Sequence, residues 1–312
     1  MQIFRTLDQF PPDFGPSIAT IGNFDGVHRG HQWVIAEVIA RARSLGIRSL
    51  AVTFDPHPGR VLRPESAMAL ITPIAQKLEL LAATGIDAAL VLPFDDAFSQ
   101  ISAHDFADTV LRKTIHATEV HEGENFRFGY KAEVGVDGLE QLGRELGFAV
   151  RVFAPQVLRG HAISSSHIRR LIAAGGVGHV RALLGRPFSV DSFPASGRGY
   201  GTRFTVPTIN LAPYSELLPA HGVYITTLQI GDIETFEAVT NVGNRPTFGA
   251  DSFTVESYLL DFHPIDLTEN TPLRLTFLKR LRAEMRWPNP EALRAQIGLD
   301  VRRARRFFEL CR

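Results

Sequence analysis

Over the first half of the chain, short apolar runs alternate with longer segments of helical period. Ile18-Ala19-Thr20-Ile21 reads as a buried strand and Gln32 to Leu45 as the helix after it, closed by Gly46. Ile47 to Phe54, Ala88 to Pro93, Thr118 to His121 and Ala149 to Phe153 read as further strands. Between them, Thr72-Pro73 reads as an N-cap and first helical residue for a helix ending at Gly85. Ser102 with Asp105 reads as a capping box for a helix to about Lys113, and Gly135 to Leu146 as a helix followed by Gly147. Strands and helices that alternate with short links predict a doubly wound, mostly parallel sheet covered on both faces. Ligands of such sheets bind beyond the carboxyl ends of the strands.

The pattern then changes. Gly175-Gly176 and Gly185-Arg186-Pro187 flank a short helix, about Val177 to Leu184. Beyond Phe188 strand-like segments dominate: Gly222 to Ile230, Phe236 to Val242, Thr254 to Phe262 and Leu273 to Leu278. This predicts a small antiparallel β-barrel. Asn289 and Pro290 open a closing helix that runs to about Leu310. Two domains are expected, residues 1–185 (α/β) and 186–312 (β).

Composition narrows the function classes. The 33 Lys+Arg residues balance 33 Asp+Glu, so no bulk charge invites nucleic acid or an anionic membrane. No apolar run has transmembrane or signal-peptide length. A single cysteine, Cys311, excludes an intrachain disulfide or a cysteine zinc cluster and fits a reducing cytoplasm. Self-association into a homo-oligomer is left open by the sequence.

The chemistry concentrates in Gly22-Asn23-Phe24-Asp25-Gly26-Val27-His28-Arg29-Gly30-His31, where a strand turns into a helix. Backbone N–H groups are unpaired there and the helix dipole is positive, so the place suits a phosphate. His28 and His31, three apart, face the same way on the first turn. Three more stretches fall at strand ends or in loops: Asp55-Pro56-His57-Pro58, Gly123-Glu124-Asn125-Phe126-Arg127-Phe128-Gly129, and Ile163-Ser164-Ser165-Ser166-His167-Ile168-Arg169. Phe126 and Phe128 suit either stacking on a planar ring or anchoring their loop in the core. The serines suit either N-capping or, with Arg169, a second phosphate contact. In the second half, Gly197-Arg198-Gly199-Tyr200-Gly201 is a glycine loop able to cover phosphates. Pro207-Thr208-Ile209-Asn210 offers hard oxygen donors for Mg²⁺, and Glu256 alternates with Tyr258 and Leu260 on one strand face. Neither a Walker loop nor a dinucleotide Gly-x-Gly-x-x-Gly is present.

Taken together, these stretches resemble bacterial bifunctional riboflavin kinase/FAD synthetases (FMN adenylyltransferases). His-Arg-Gly-His is similar to the His-x-Gly-His signature of nucleotidyltransferases. The second half is similar to riboflavin kinase in Pro207 to Leu211, Gly222-Val223-Tyr224, Asn241 to Gly249 and Glu256 to Phe262. The chain departs from the family at Ser166 (usually threonine), Thr205 (glycine), Ile209 (alanine) and after Asp266-Leu267, where Tyr-Gly is missing. The resemblance implies FMN formation from riboflavin and ATP in the second domain, then adenylyl transfer from ATP to FMN in the first. It implies His28, His31 and Glu256 as the catalytic residues. Gly22, Phe24, Asp25, Gly30, Asn125, Ser164, Ser165 and Arg169 would meet ATP, and His57, Phe126 and Phe128 the flavin. In the kinase half Gly197, Gly199, Gly201 and Pro207 would meet ATP, with Thr208 and Asn210 on Mg²⁺. Rival readings are an adenylyltransferase with a kinase-impaired second half, and a flavin sensor without turnover. A class I aminoacyl-tRNA synthetase would need a Lys-Met-Ser-Lys-like loop, and none is evident. A cytidylyltransferase would leave the second half unexplained.

Overall fold

The structure, a computed structural model, describes residues 1–66, 68–195, 207–232, 234–244 and 253–312. The chain divides into two compact units, Met1–Ser165 and Ser166–Arg312.

The first unit holds six parallel strands: β1 (Gln2–Phe4), β2 (Ser17–Ile21), β3 (Arg48–Asp55), β4 (Ala88–Pro93), β5 (Ala117–Gly123) and β6 (Ala149–Phe153). Their order in the sheet is β1-β4-β3-β2-β5-β6, the doubly wound arrangement predicted. β1 carries no apolar run of its own and is added only by pairing with β4. The helices are α1 (Arg29–Leu45), α2 (Pro58–Leu62), α3 (Ile74–Ala82), α4 (Asp96–Ser99), α5 (Ala103–Phe106) and α6 (Val136–Leu146); α5 runs on as a wider π-type helix, Ala107–Thr114. Both sheet faces are buried, so the strands read as unbroken apolar runs. Leu50, Val52, Leu90 and Leu92 pack under Phe106, Val110, Leu111 and Leu139. Their neighbours Ala51, Ala89 and Val91 pack with Ile35 and Ile39 of α1 and Leu78 and Leu81 of α3 on the other side. A two-stranded hairpin, β7 (Val157–Leu158) with β8 (His161–Ala162), follows.

Helix ends follow their caps except in α3, which ends at Ala82 before reaching Gly85. Gly46 and Gly147 take left-handed conformations after α1 and α6, and Ser102 Oγ accepts from Asp105 N at 3.0 Å. Thr72 does not cap α3. Its hydroxyl accepts instead from Gly26 N at 2.9 Å, and the helix begins at Ile74.

α7 (Ser165–Ala173) leads into the second unit, followed by α8 (Val177–Leu184). The sheet there is antiparallel: β9 (Phe188–Ser192), β10 (Thr208–Asn210), β11 (Gly222–Ile230), β12 (Glu234–Asn244), β13 (Phe253–Leu259) and β14 (Leu273–Ala283), in the order β10-β13-β12-β11-β14-β9. A bridge between Pro194 and Leu211 joins the two edges and curls the sheet toward a barrel. Pro194 lies beyond the ladder of β9, where its missing N–H is harmless. One face packs on itself through Phe188, Tyr224 and Phe277. The other is covered by α9 (Pro290–Cys311), whose Ala304 and Phe308 meet Val223, Ile225, Val239 and Leu260. Asn289 Oδ1 accepts from Ala292 N at 2.8 Å, so the cap forms as expected. Among the described residues no helix is long and apolar enough to cross a membrane. Gly197, Gly199, Gly201 and Thr205 lie outside the described residues.

Candidate active sites

The first site sits where the parallel sheet requires it, at the carboxyl ends of β2, β3, β4 and β5. His28 is the N-cap of α1, and its Nδ1 accepts from His31 N at 3.3 Å. A neutral His28 used in this way carries its proton on Nε2, as a donor. The two imidazoles stack, with centroids 3.6 Å apart and planes 16° apart, and the Phe24 ring meets His31 edge-on at 5.2 Å. Burial, then the His28 and Lys77 charges, hold the His31 pKa well below its ordinary value, so His31 is neutral at physiological pH. Its Nδ1 is buried without a hydrogen-bond partner. A buried ring nitrogen with no protein partner is a group available to a ligand.

The glycines matter at two points. A Cβ on Gly30 would lie 3.2 Å from the His28 ring, and one on Gly22 3.1 Å from the Phe24 ring. Phe24 and Val27 themselves sit at positive φ, 46° and 37°, a strain that persists only because the loop is held from outside. Asp25 holds it. Its buried carboxylate accepts from Ile71 N and Thr72 N at 3.0 Å each. Asp25 therefore braces the loop through these bonds. Ser165 Oγ donates to Asp25 O at 2.8 Å, so this hydroxyl joins the start of α7 to the same loop. Ser164 precedes it, and Arg169 lies one turn along α7, partly buried.

Beside this loop lies a cavity of about 630 Å³. Phe54, Phe94, Phe98, Phe106, Phe126 and Phe128 line it, with Gly22, Asn23, Pro58, Arg63, Asn125 and Lys131 supplying the polar and backbone rim. An aromatic cavity of this size with a few polar groups suits a planar heterocycle. Phe126 and Phe128 are stacked at 5.4 Å and line the cavity, while Phe128 also packs into the core. His57 is not among the lining residues; it caps α2, with Nδ1 accepting from Gly59 N at 2.9 Å. Phe94 and Phe98 were not singled out from sequence. The signal was there, two phenylalanines in an otherwise polar loop, Phe94-Asp95-Asp96-Ala97-Phe98.

The second site is a cavity of about 360 Å³ on the α9 side of the antiparallel sheet. Register places Asn210, Glu256 and Asn241 side by side on three neighbouring strands, with Thr208 opposite Tyr258. Glu256 and Tyr258 alternate with buried Val255, Ser257 and Leu259, and Leu260 continues their face into the contact with α9. Thr208, Asn241, Glu256 and Tyr258 all line the cavity. The far wall is built from Arg282, Trp287, Leu293, Ile297 and Asp300. Buried Asp300 accepts from Arg282 Nε at 2.9 Å and from Gln296 Nε2 at 2.9 Å, and Arg282 lies 5.5 Å over Trp287. Nothing in the sequence pattern singled out this wall, because its members are brought together only when α9 folds back. Pro207 accepts from Leu259 N through its carbonyl at 2.7 Å, fixing the entry to β10.

Comparison with known proteins matches both halves in order. The model of the FAD synthetase family covers residues 11–167, and that of riboflavin kinase residues 184–308. The Bifunctional riboflavin kinase/FMN adenylyltransferase of Pseudomonas fluorescens is 34% identical over 306 residues, covering 98% of this chain and 97% of the relative. That of Escherichia coli (strain K12) is 31% identical over 98% of this chain and 96% of the relative. The crystal structure of Macrolide-efflux Protein from Streptococcus pneumoniae superposes with a TM-score of 0.83 at 25% identity, over 97% of this chain and 98% of that one, and shares the fold. The chain belongs to the family of bifunctional riboflavin kinase/FMN adenylyltransferases.

Proposed function

We infer that the chain phosphorylates riboflavin to FMN in its second unit and adenylylates FMN to FAD in its first, each step using one ATP. The observation that carries this reading is the pairing of two sites in one chain: a histidine-bearing helix N-terminus beside an aromatic cavity, and a strand glutamate between two asparagines. In the first unit, an oxygen of the FMN phosphate attacks the α-phosphorus of ATP and pyrophosphate leaves. No protein nucleophile is needed, so rate comes from positioning and charge stabilisation. His28 and His31 donate to the phosphate oxygens on which charge grows. The backbone at Gly22, Phe24 and Gly30 leaves room for the phosphates, with Asn125, Ser164, Ser165 and Arg169 as further contacts. The phenylalanine-lined cavity takes the flavin ring.

In the second unit, Glu256 accepts the proton of the terminal ribityl hydroxyl, whose oxygen attacks the γ-phosphorus as ADP leaves. Among the described residues no three His, Cys, Asp or Glu side chains are grouped to hold a metal alone. The donors at hand, the Thr208 hydroxyl and the Asn210 amide oxygen, on the face of β10 shared with their register partners Tyr258 and Glu256, suit Mg²⁺ that arrives on ATP phosphates. Mg²⁺ there would neutralise charge on the transferred phosphoryl group. Gly197, Gly199, Gly201 and Pro207 complete the ATP contacts in this reading, which also places the enzyme in the cytoplasm with small molecules, not nucleic acid, as partners.

The test is to incubate the purified protein with riboflavin, ATP and Mg²⁺ and to separate the flavins. FMN followed by FAD is expected. FAD from supplied FMN but none from riboflavin leaves only the transferase, and flavin binding without either product removes both activities.

A further inference from the structure

Lys77, on α3, is a charged side chain set in the core of the first unit, 4% exposed. None of the roles above uses it. Its Nζ meets three acceptors: Asn23 O at 3.1 Å, Thr53 Oγ1 at 3.2 Å and Phe54 O at 3.2 Å. An ammonium has three N–H groups, so the acceptors match its capacity one for one. They come from two segments, the loop after β2 that carries the histidines and the end of β3. Two of these residues, Asn23 and Phe54, line the aromatic cavity. The chain just before α3 also supplies the Ile71 and Thr72 N–H groups that hold Asp25.

Packing alone does not account for a lysine here. Burial pulls its pKa down to about 8, against the attraction of Asp25 and Asp55. Methionine would fill a similar volume without desolvating a charge. What the ammonium adds is a fixed spacing between Asn23 and Thr53-Phe54. It also puts a positive charge under the phosphate loop, and that charge helps keep His31 unprotonated.

We propose that Lys77 is a positioning residue for adenylyl transfer: its ammonium locks the loop bearing His28 and His31 to the end of β3, so that the histidine pair and the flavin cavity keep one geometry. The inference rests on the assignment of FMN adenylylation to the first unit. Lys77 does not line the cavity; it acts through Asn23 and Phe54.

The test uses the full chain and both reactions. FAD formation from FMN and ATP·Mg²⁺ is measured in Lys77→Met and in Thr53→Val, which removes one acceptor at nearly constant shape. Riboflavin phosphorylation and unfolding temperature are read in the same preparations. Lys77→Met should lower kcat for FAD formation by about 10- to 100-fold, the size expected of a misplaced reacting group, and raise KM for FMN. Thr53→Val should give a loss of the same kind, roughly two- to tenfold, as for the hydrogen bonds its hydroxyl makes to Lys77 Nζ and Asn23 O, and it carries the test if Lys77→Met does not fold. Phosphorylation should stay at the wild-type rate in both. Wild-type kcat and KM in the folded variants would overturn the proposal. So would FAD synthesis and phosphorylation that fall together with the unfolding temperature. Absence of FAD formation in the unmutated protein would instead remove the functional assignment beneath it.

Discussion

At the scale of single residues, the first unit uses buried polar groups as braces. Asp25 and Lys77 hold the histidine loop from one side. Glu122, at the end of β5, holds the neighbouring strand β2: its Oε1 accepts from Ile21 N at 2.5 Å and from Thr20 Oγ1 at 3.5 Å. Desolvation outweighs those two bonds and raises the Glu122 pKa well above 4.5. The unfolded chain releases this proton near pH 4.5, while the folded chain keeps it to higher pH. Between the two values the folded state binds more protons, so this group's contribution to stability falls as pH rises. Glu122→Gln keeps the acceptor and removes the titration. Urea midpoints at pH 5 and pH 7.5 should therefore differ less in Glu122→Gln than in the unmutated protein. An unchanged pH dependence would show that Glu122 ionises normally.

At the scale of elements, the parallel sheet was legible because both its faces are buried, which leaves continuous apolar runs such as Ala88 to Pro93 with unmistakable ends. The place of the histidine pair at a helix N-terminus was legible because the strand–glycine–helix junction is plain in the pattern. Three things were not. The capping role of Thr72 failed because Gly26 N, 46 residues away in sequence, offers a competing partner. The bracing role of Asp25 depends on Ile71 and Thr72 N–H groups that no local pattern points to. Glu256 could be placed on a face, but its row with Asn210 and Asn241 required the register of three strands. The loop after β5 shows how much such long-range contacts decide. Gly129 has φ +80°, and a Cβ there would come within 2.7 Å of the Ala103 Cβ, while Glu133 Oε1 accepts from Ala103 N at 3.1 Å. Gly129→Ala should cost about 1–3 kcal/mol through backbone strain and overlap, and should weaken FMN binding because Gly129 lines the cavity. Thermal unfolding and flavin titration check both; an unchanged midpoint with unchanged affinity would show that the loop relaxes freely.

At the scale of the whole molecule, the parts divide into two compact units, each with its own core and its own cavity. The units part at Ser165/Ser166. The departures at Thr205, Ile209 and after Leu267 all fall in the kinase half. Ile209 is buried, 1% exposed, and leaves Thr208 and Asn210 on the opposite face of β10, so this change does not disturb the proposed Mg²⁺ donors. Two sites, each with its own cavity, make the central claim one of independence, and reciprocal mutation tests it. His31→Ala should lower FAD formation from FMN by about 100-fold or more and leave FMN formation from riboflavin intact. Glu256→Gln should lower FMN formation by about 10²- to 10⁴-fold and leave FAD formation from FMN intact. Product analysis of the two variants, each fed riboflavin and FMN separately, is the most direct measurement. Opposite single losses are the predicted result; loss of both products in either variant, or of neither in His31→Ala, would contradict the account.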